Sequence, residues 1–202
     1  MVKTKAKTLR LVSLGILSAI IIVLQVLTTY FPTKPFPITL ALIPIIIGSA
    51  LFDEKAGAFL GGVFSVVVLI MCAIGADLGG AMVWNASPLL CILVCMVKGV
   101  CAGYVSGLLY RLIAKKNSIV ATITAGFIAP VVNTGIFITG LALFFKDILV
   151  TWAGGSDLLY YVIFGLTGIN FLVELGVNMV LSPVIIKILH AIKKTNKQQV
   201  AI

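Results

Sequence analysis

The segment PLLCILVCMVKGVCAGYVSGLLYRL, residues 88–112, is long and apolar enough to cross a membrane as a helix, yet Lys98 lies near its middle. A second apolar segment, residues 158–189, carries Glu174 in a similar position. At a rise of about 1.5 Å per residue, both charges fall near the centre of a hydrocarbon layer roughly 30 Å thick. Because a charge at that depth is costly unless it is paired or solvated, the two positions indicate a functional site.

The composition is that of a membrane protein. The 202 residues are 61% hydrophobic and 10% charged, whereas a soluble domain carries about a quarter charged residues. The mean hydropathy is +1.22, and the apolar residues are concentrated in runs long enough to span a bilayer. The first run lacks a small-residue cleavage site, so we expect it to be retained as a span and not removed as a signal peptide.

We predict an all-α integral membrane protein with six transmembrane helices that form one substrate-binding domain over residues 1–202. The second span is too short to cross as a straight helix, so a break or an adjacent loop is expected there. The connections predicted to face outward are long loops over residues 31–37, 75–87 and 146–157. The six spans cover about residues 10–30, 38–52, 56–74, 88–112, 118–145 and 158–191.

The distribution of positive charge gives an orientation. Most of the 15 Lys and Arg residues fall at the chain ends and at connections that share one side in this topology. The positive-inside rule therefore predicts that both termini are cytoplasmic, where the basic ends lie against anionic lipid headgroups. Nucleic-acid binding is disfavoured because the cations are dispersed among the span ends.

Polar residues recur in the middle of the last three long spans. The alternating directions of the spans bring Lys98, Asn133, Thr134, Asn170 and Glu174 to similar depths, at or outside the midplane. Such a cluster predicts a pocket for a small molecule that opens toward the outer connections. The alternative is a structural Lys98–Glu174 pair, with the amides joining helices and no ligand present.

The chain lacks the motifs of common enzymes. There is no phosphate-binding Gly-x-x-x-x-Gly-Lys-Ser/Thr loop, no His-Glu-x-x-His and no Gly-x-Ser-x-Gly. We therefore expect no catalytic activity, no cofactor and no metal ion. Cys91 and Cys95 have helical spacing but lack nearby histidines, which favours packing residues over a metal site.

Small residues at four-residue spacing indicate close helix contacts. Glycines at 57 and 61 and at 99, 103 and 107 are predicted to pack within the helix bundle. Gly15 and Ala19, in the first span, have two possible roles. They pack internally, or they dock a second membrane protein.

Three stretches resemble the substrate-binding S components of energy-coupling factor (ECF) vitamin transporters. Residues 39–61, TLALIPIIIGSALFDEKAGAFLG, are similar to the family's short second span and glycine-rich third span, with Asp53-Glu54 in place of a Gly-Pro turn. Gly15-x-x-x-Ala19 resembles its first-helix Ala-x-x-x-Ala motif. APVVNTG at 129–135 and NFLVE at 170–174 resemble the substrate-facing parts of a pantothenate-type subgroup.

The resemblance implies a binder of a water-soluble vitamin in the bacterial plasma membrane. Its partners would be a transmembrane coupling subunit, which Gly15 and Ala19 contact, and two cytoplasmic ATPase subunits. For pantothenate, Lys98 would receive the carboxylate and Glu174 would orient Lys98 or bind a hydroxyl. Asn133, Thr134 and Asn170 would hydrogen-bond the ligand, while Trp84, Asn85 and residues 31–36 would cover it.

Two other functions remain open from the residues alone. The first is a self-sufficient secondary permease for a small solute, in which Glu174 takes up a proton. Six spans without an obvious inverted repeat make it the weaker hypothesis. The second is a purely structural subunit, which would tolerate Glu174→Gln without any effect on a ligand.

Overall fold

The computed structural model describes residues 2–30, 39–157, 160–162, 164, 171–181, 183 and 185–187, and these parts contain helices and turns but no β-strand. Residues 171–181 are helical and belong to the predicted sixth span, several of whose other residues lie outside the described parts. The other helices are α1 (Val2–Tyr30), α2 (Leu42–Leu51), α3 (Glu54–Ala73), α4 (Leu78–Ala86), α5 (Pro88–Ala114), α6 (Ser118–Phe144) and α7 (Lys146–Ala153).

Four helices of the described parts are long and apolar enough to cross a membrane. They are Lys7–Tyr30 of α1, together with α3, α5 and α6. Helix α2 has only 10 residues, or about 15 Å, which agrees with the expectation that the second span is too short to cross alone. The prediction of an all-α membrane protein is confirmed, while the six-span count and the side of the termini stay predictions.

The contact between α2 and α3 forms part of the apolar core, which also includes buried residues of α1, α5 and α6. Leu42, Ile45 and Ile46 on α2 and Leu60 and Phe64 on α3 are at most 1% exposed. The three α2 residues follow helical i, i+3, i+4 spacing, so they form one face of that helix. Helix α2 is therefore a short, buried helix inside the bundle.

Helices α3 and α5 pack through facing glycines. A Cβ added at Gly61 would overlap the carbonyl oxygen of Gly99, and one added at Gly57 would overlap that of Gly103. Only residues without a side chain allow the two backbones to come this close. The prediction that these glycines pack inside the bundle is confirmed.

Two ion pairs hold helix ends together at one end of the bundle. Arg10 on α1 contacts Asp53, just before α3, at 2.9 Å, and Arg111 near the end of α5 contacts Glu54 at 2.8 Å. Asp53 also caps α3, because its Oδ1 accepts a hydrogen bond from the Ala56 N–H at 2.7 Å. Such partly exposed pairs add little stability, but they connect α1, α3 and α5 at this end of the bundle.

Two connections that the sequence analysis assigned to loops are helical, so that expectation is wrong. Helix α4 begins because Asp77 accepts a hydrogen bond from the Gly80 N–H at 3.0 Å, which is an N-cap. Helix α7 ends at Gly154, whose φ of 56° is the left-handed conformation that favours glycine. Trp152 Nε1 donates to Met82 Sδ at 3.0 Å and so joins α7 to α4.

The glycine contact predicts a specific response to a single methyl group. Gly61→Ala should lower the free energy of unfolding by about 1–3 kcal/mol, because the methyl group forces α3 and α5 apart. The measurement is the thermal melting of the detergent-solubilised protein.

Gly62→Ala is the matched control on the same helix. A Cβ there would lie 3.7 Å from Val100 Cγ2, an ordinary contact, so the melting temperature should stay the same or rise slightly. Equal melting temperatures for the two variants would contradict the close α3–α5 contact.

Candidate functional site

A cavity lies between α1, α3, α5, α6 and the helical segment 171–181, next to α4. Its empty space is about 830 Å³, including the part that opens to the outside. The lining residues of α3, at 64, 68 and 72, are spaced by four positions and share one face, whereas α1 and the segment 171–181 contribute one residue each. The full lining consists of Gln25, Thr39, Phe64, Val68, Cys72, Asp77, Gly80, Val83, Cys91, Val94, Cys95, Lys98, Asn133, Thr134, Phe137, Ile138 and Glu174.

Lys98 supplies the positive charge of this lining. The side chain is buried, and its Nζ lies 4.4 Å from the centroid of the Phe137 ring on α6, a cation–π contact. Within the described parts of the chain, no salt bridge joins Lys98 to a carboxylate. A buried ammonium without a direct ion pair is costly, so the position favours an anionic group on a bound molecule.

Glu174 is held by the backbone that precedes α2. It is 6% exposed, and its Oε1 accepts a hydrogen bond from the Thr39 N–H at 2.7 Å. This bond ties the start of the short second apolar segment to the helix at 171–181. Glu174 and Lys98 line the same cavity, but among the described residues they form no direct ion pair.

Asp77 is a second cavity carboxylate, and the sequence analysis missed it. The residue is 7% exposed, although it lies in a connection that was expected to be a loop. Burial raises the pKa of Asp77 above its usual value, while the Gly80 N–H and the Lys98 ammonium oppose that shift. The available sequence signal was its suitability as an N-cap, which would have predicted helix α4 behind it.

Two amide side chains of the lining have unsatisfied oxygens. Asn133 on α6, which the sequence analysis named, is buried, and Thr134 beside it is half-buried. Gln25 on α1, which the sequence analysis did not name, is 2% exposed. The Asn133 Oδ1 and the Gln25 Oε1 accept no hydrogen bond from the described residues. Because Gln25 is a single polar residue in the first span, no periodic pattern indicated that it belongs to a site.

The remaining predicted ligand contacts do not line the cavity or lie outside the described residues. Trp84 is partly buried against the apolar core, and Asn85 is exposed on α4. The cavity lining includes neither residue. Asn170 and the expected lid at residues 31–36 lie outside the described residues.

Gly15 and Ala19 lie on an exposed face of α1. A Cβ added at Gly15 would meet no atom within 4 Å, and both residues are exposed. Their neighbours Leu11 and Val23, one turn to either side, are 75% and 57% exposed. Of the two possible roles, internal packing against the described parts of the bundle is therefore disfavoured.

The arrangement suits the binding of a small organic molecule that is both apolar and polar. Phe64, Val68 and Phe137 provide apolar walls, and Lys98 and the carboxylates provide fixed polar groups. Among the described residues, no group of three or more His, Cys, Asp or Glu side chains could hold a metal ion.

The Thr39–Glu174 bond yields a testable prediction. Glu174→Met removes the acceptor of the Thr39 N–H and should lower the free energy of unfolding by about 1–3 kcal/mol relative to Glu174→Gln. Glutamine keeps an oxygen at that position, so it is the matched control. Thermal melting of both variants without ligand is the measurement, and equal stability would show that the bond does not form.

Residues 9–186 match the model of a family described as the ECF transporter, substrate-specific component. No curated protein sequence matches the chain significantly. The family match spans α1 to α7 and extends past Glu174, so it includes every described residue of the cavity. The chain belongs to the family of substrate-specific components of ECF transporters.

Proposed function

We propose that the protein binds a water-soluble vitamin with high affinity in the cavity and presents it for ATP-driven uptake through an ECF complex. Membership of the family supports a substrate and a complex with coupling and ATPase subunits. The observation that carries the proposal is the buried Lys98 ammonium, which forms no salt bridge with a carboxylate among the described residues. The chain itself would bind the vitamin and would not hydrolyse ATP.

Pantothenate is the proposed vitamin. It carries one carboxylate, which suits Lys98, and an amide and two hydroxyls, which suit Asn133, Thr134 and Glu174. The apolar wall around Phe137 would contact its methyl groups. Glu174 would accept a hydrogen bond from a ligand hydroxyl, because its bond to the Thr39 N–H leaves the other carboxylate oxygen for a second partner.

We further propose a single domain of six spans with both termini in the cytoplasm of a bacterial cell. Arg10, Lys55 and Arg111 belong to the bundle end that holds the two ion pairs, whereas Lys146 follows α6 at the opposite end. An excess of cations at one end supports a cytoplasmic location for that end. The cavity, lined by α4 at the other end, would then open outward.

The exposed Gly15 and Ala19 face supports a docking role toward the coupling subunit. Small residues on a lipid-facing surface let a second helix approach closely, and that contact is what association in a membrane requires. The face lies on α1 toward the end that carries Arg10, away from Gln25 in the cavity. Docking and vitamin binding would therefore occupy different parts of the molecule.

The proposed contact between Lys98 and the ligand carboxylate can be tested by removing the ammonium group. Lys98→Met should weaken the binding of D-pantothenate by at least about tenfold, because a charge-assisted hydrogen bond to the carboxylate is lost. Isothermal titration calorimetry of the purified chain measures the change.

Lys55→Met is the matched control, since Lys55 is exposed on α3 and does not line the cavity. Its affinity should equal that of the parent protein. If Lys98→Met also binds with parental affinity, the assignment of Lys98 is wrong. If another vitamin binds the parent and pantothenate does not, the subgroup assignment is wrong.

A substitution on the exposed face of α1 can separate docking to the coupling subunit from binding of the vitamin. Gly15→Leu should reduce ATP-driven uptake in cells that hold the coupling and ATPase subunits, while vitamin binding by the purified chain stays unchanged. The added side chain blocks the close approach of a partner helix.

Gly176→Leu is a size-matched control, because Gly176 is exposed on the helical segment 171–181, does not line the cavity, and has nothing within 4 Å of an added Cβ. It should support parental uptake. Full uptake by Gly15→Leu would exclude this docking face. Uptake that persists in cells without ECF ATPases would instead favour a self-sufficient carrier.

A further inference from the structure

Gln25 and Asn133 present buried oxygens that the described protein does not satisfy. Gln25 is 2% exposed and Asn133 is 5% exposed, and both line the cavity. Neither the Gln25 Oε1 nor the Asn133 Oδ1 accepts a hydrogen bond from the described residues. A buried polar atom without a partner costs free energy, so a retained pair of them in a cavity points to a ligand.

The orientation of the Gln25 amide follows from its neighbour. The Thr29 hydroxyl donates its one proton to the main-chain carbonyl oxygen of Gln25 at 2.8 Å, so the Thr29 oxygen is left as an acceptor for the Gln25 side chain. Gln25 Nε2, 3.4 Å from that oxygen, is then the donor. Exchange of the amide oxygen and nitrogen would place two acceptors against each other, and Oε1 is therefore the end that lacks a partner.

Among the charged groups of the described lining, hydrogen-bond acceptors also outnumber donor residues. Asp77 and Glu174 are carboxylates, and each accepts one backbone hydrogen bond, from Gly80 and Thr39 respectively. Lys98 is the cation of the described lining. A ligand with only a carboxylate would satisfy Lys98 but would leave the Gln25 Oε1 and the Asn133 Oδ1 without partners.

We infer that Gln25 and Asn133 are ligand-contact residues, and that the ligand directs N–H or O–H donors at them in addition to the anionic group at Lys98. The inference rests on the proposed function and narrows it to acids that also carry amide or hydroxyl donors. Gln25 brings α1 into direct contact with the ligand. The helix that carries the exposed Gly15 and Ala19 face is thus also part of the binding site.

The test combines stability without ligand and affinity with ligand. In Gln25→Met the unsatisfied oxygen is replaced by a side chain of similar length, so the ligand-free protein should melt at the parental temperature or above it. The same variant, and Asn133→Leu, should bind D-pantothenate about three to ten times more weakly than the parent. Hexanoate, a carboxylate without other donors, should give no thermal shift.

Ser18→Ala is the matched control on α1. Its Oγ also lacks a partner among the described residues, but Ser18 does not line the cavity. This variant should melt at the parental temperature or above it and should bind D-pantothenate with the parental affinity.

Each result decides the inference. It is overturned if ligand-free Gln25→Met melts about 5 °C or more below the parent, since Gln25 would then be structural. It is also overturned if both variants bind D-pantothenate as the parent does, or if hexanoate binds as well as D-pantothenate. If no vitamin shifts the parent protein, the proposed function fails, and the ligand-free melting of Gln25→Met still decides whether its oxygen is satisfied within the protein.

Discussion

The direct backbone contact between α3 and α5 is the constraint on which the cavity depends. Gly61 faces Gly99, and the hydroxyl of Ser65 lies 2.7 Å from the Cys95 carbonyl oxygen across the same interface. Lys98 immediately precedes Gly99, so this contact fixes the depth of its ammonium group. Lipid offers no hydrophobic drive for helix association, and glycine contacts and interhelical hydrogen bonds take its place.

Around that contact, the cavity is completed by elements that are too short to be spans themselves. The backbone before the short α2 donates to Glu174, and α4 brings Asp77 to the cavity as its N-cap. Backbone groups of this kind are tolerated at membrane depth where protein or a cavity surrounds them. The described lining thus holds one buried cation together with several hydrogen-bond acceptors, an arrangement suited to an acid that also donates hydrogen bonds.

Sequence patterns predicted the long spans and the glycine contacts because both rest on local, periodic signals. Lys98, Asn133 and Glu174 were identified because polar residues within apolar runs are conspicuous. Asp77 was missed because its burial depends on a short helix inside a connection, and Gln25 because a single polar residue has no periodicity. Trp84 was expected at the ligand, but tertiary packing directs its ring to the core.

The central claim is that a water-soluble vitamin occupies the cavity with its anionic group at Lys98. Its most direct test is native mass spectrometry of the detergent-solubilised chain, expressed in rich medium, beside Lys98→Met. We expect the parent to retain one small acidic molecule with amide or hydroxyl donors and the variant to retain much less of it. The same molecule at equal occupancy in both proteins would contradict this claim.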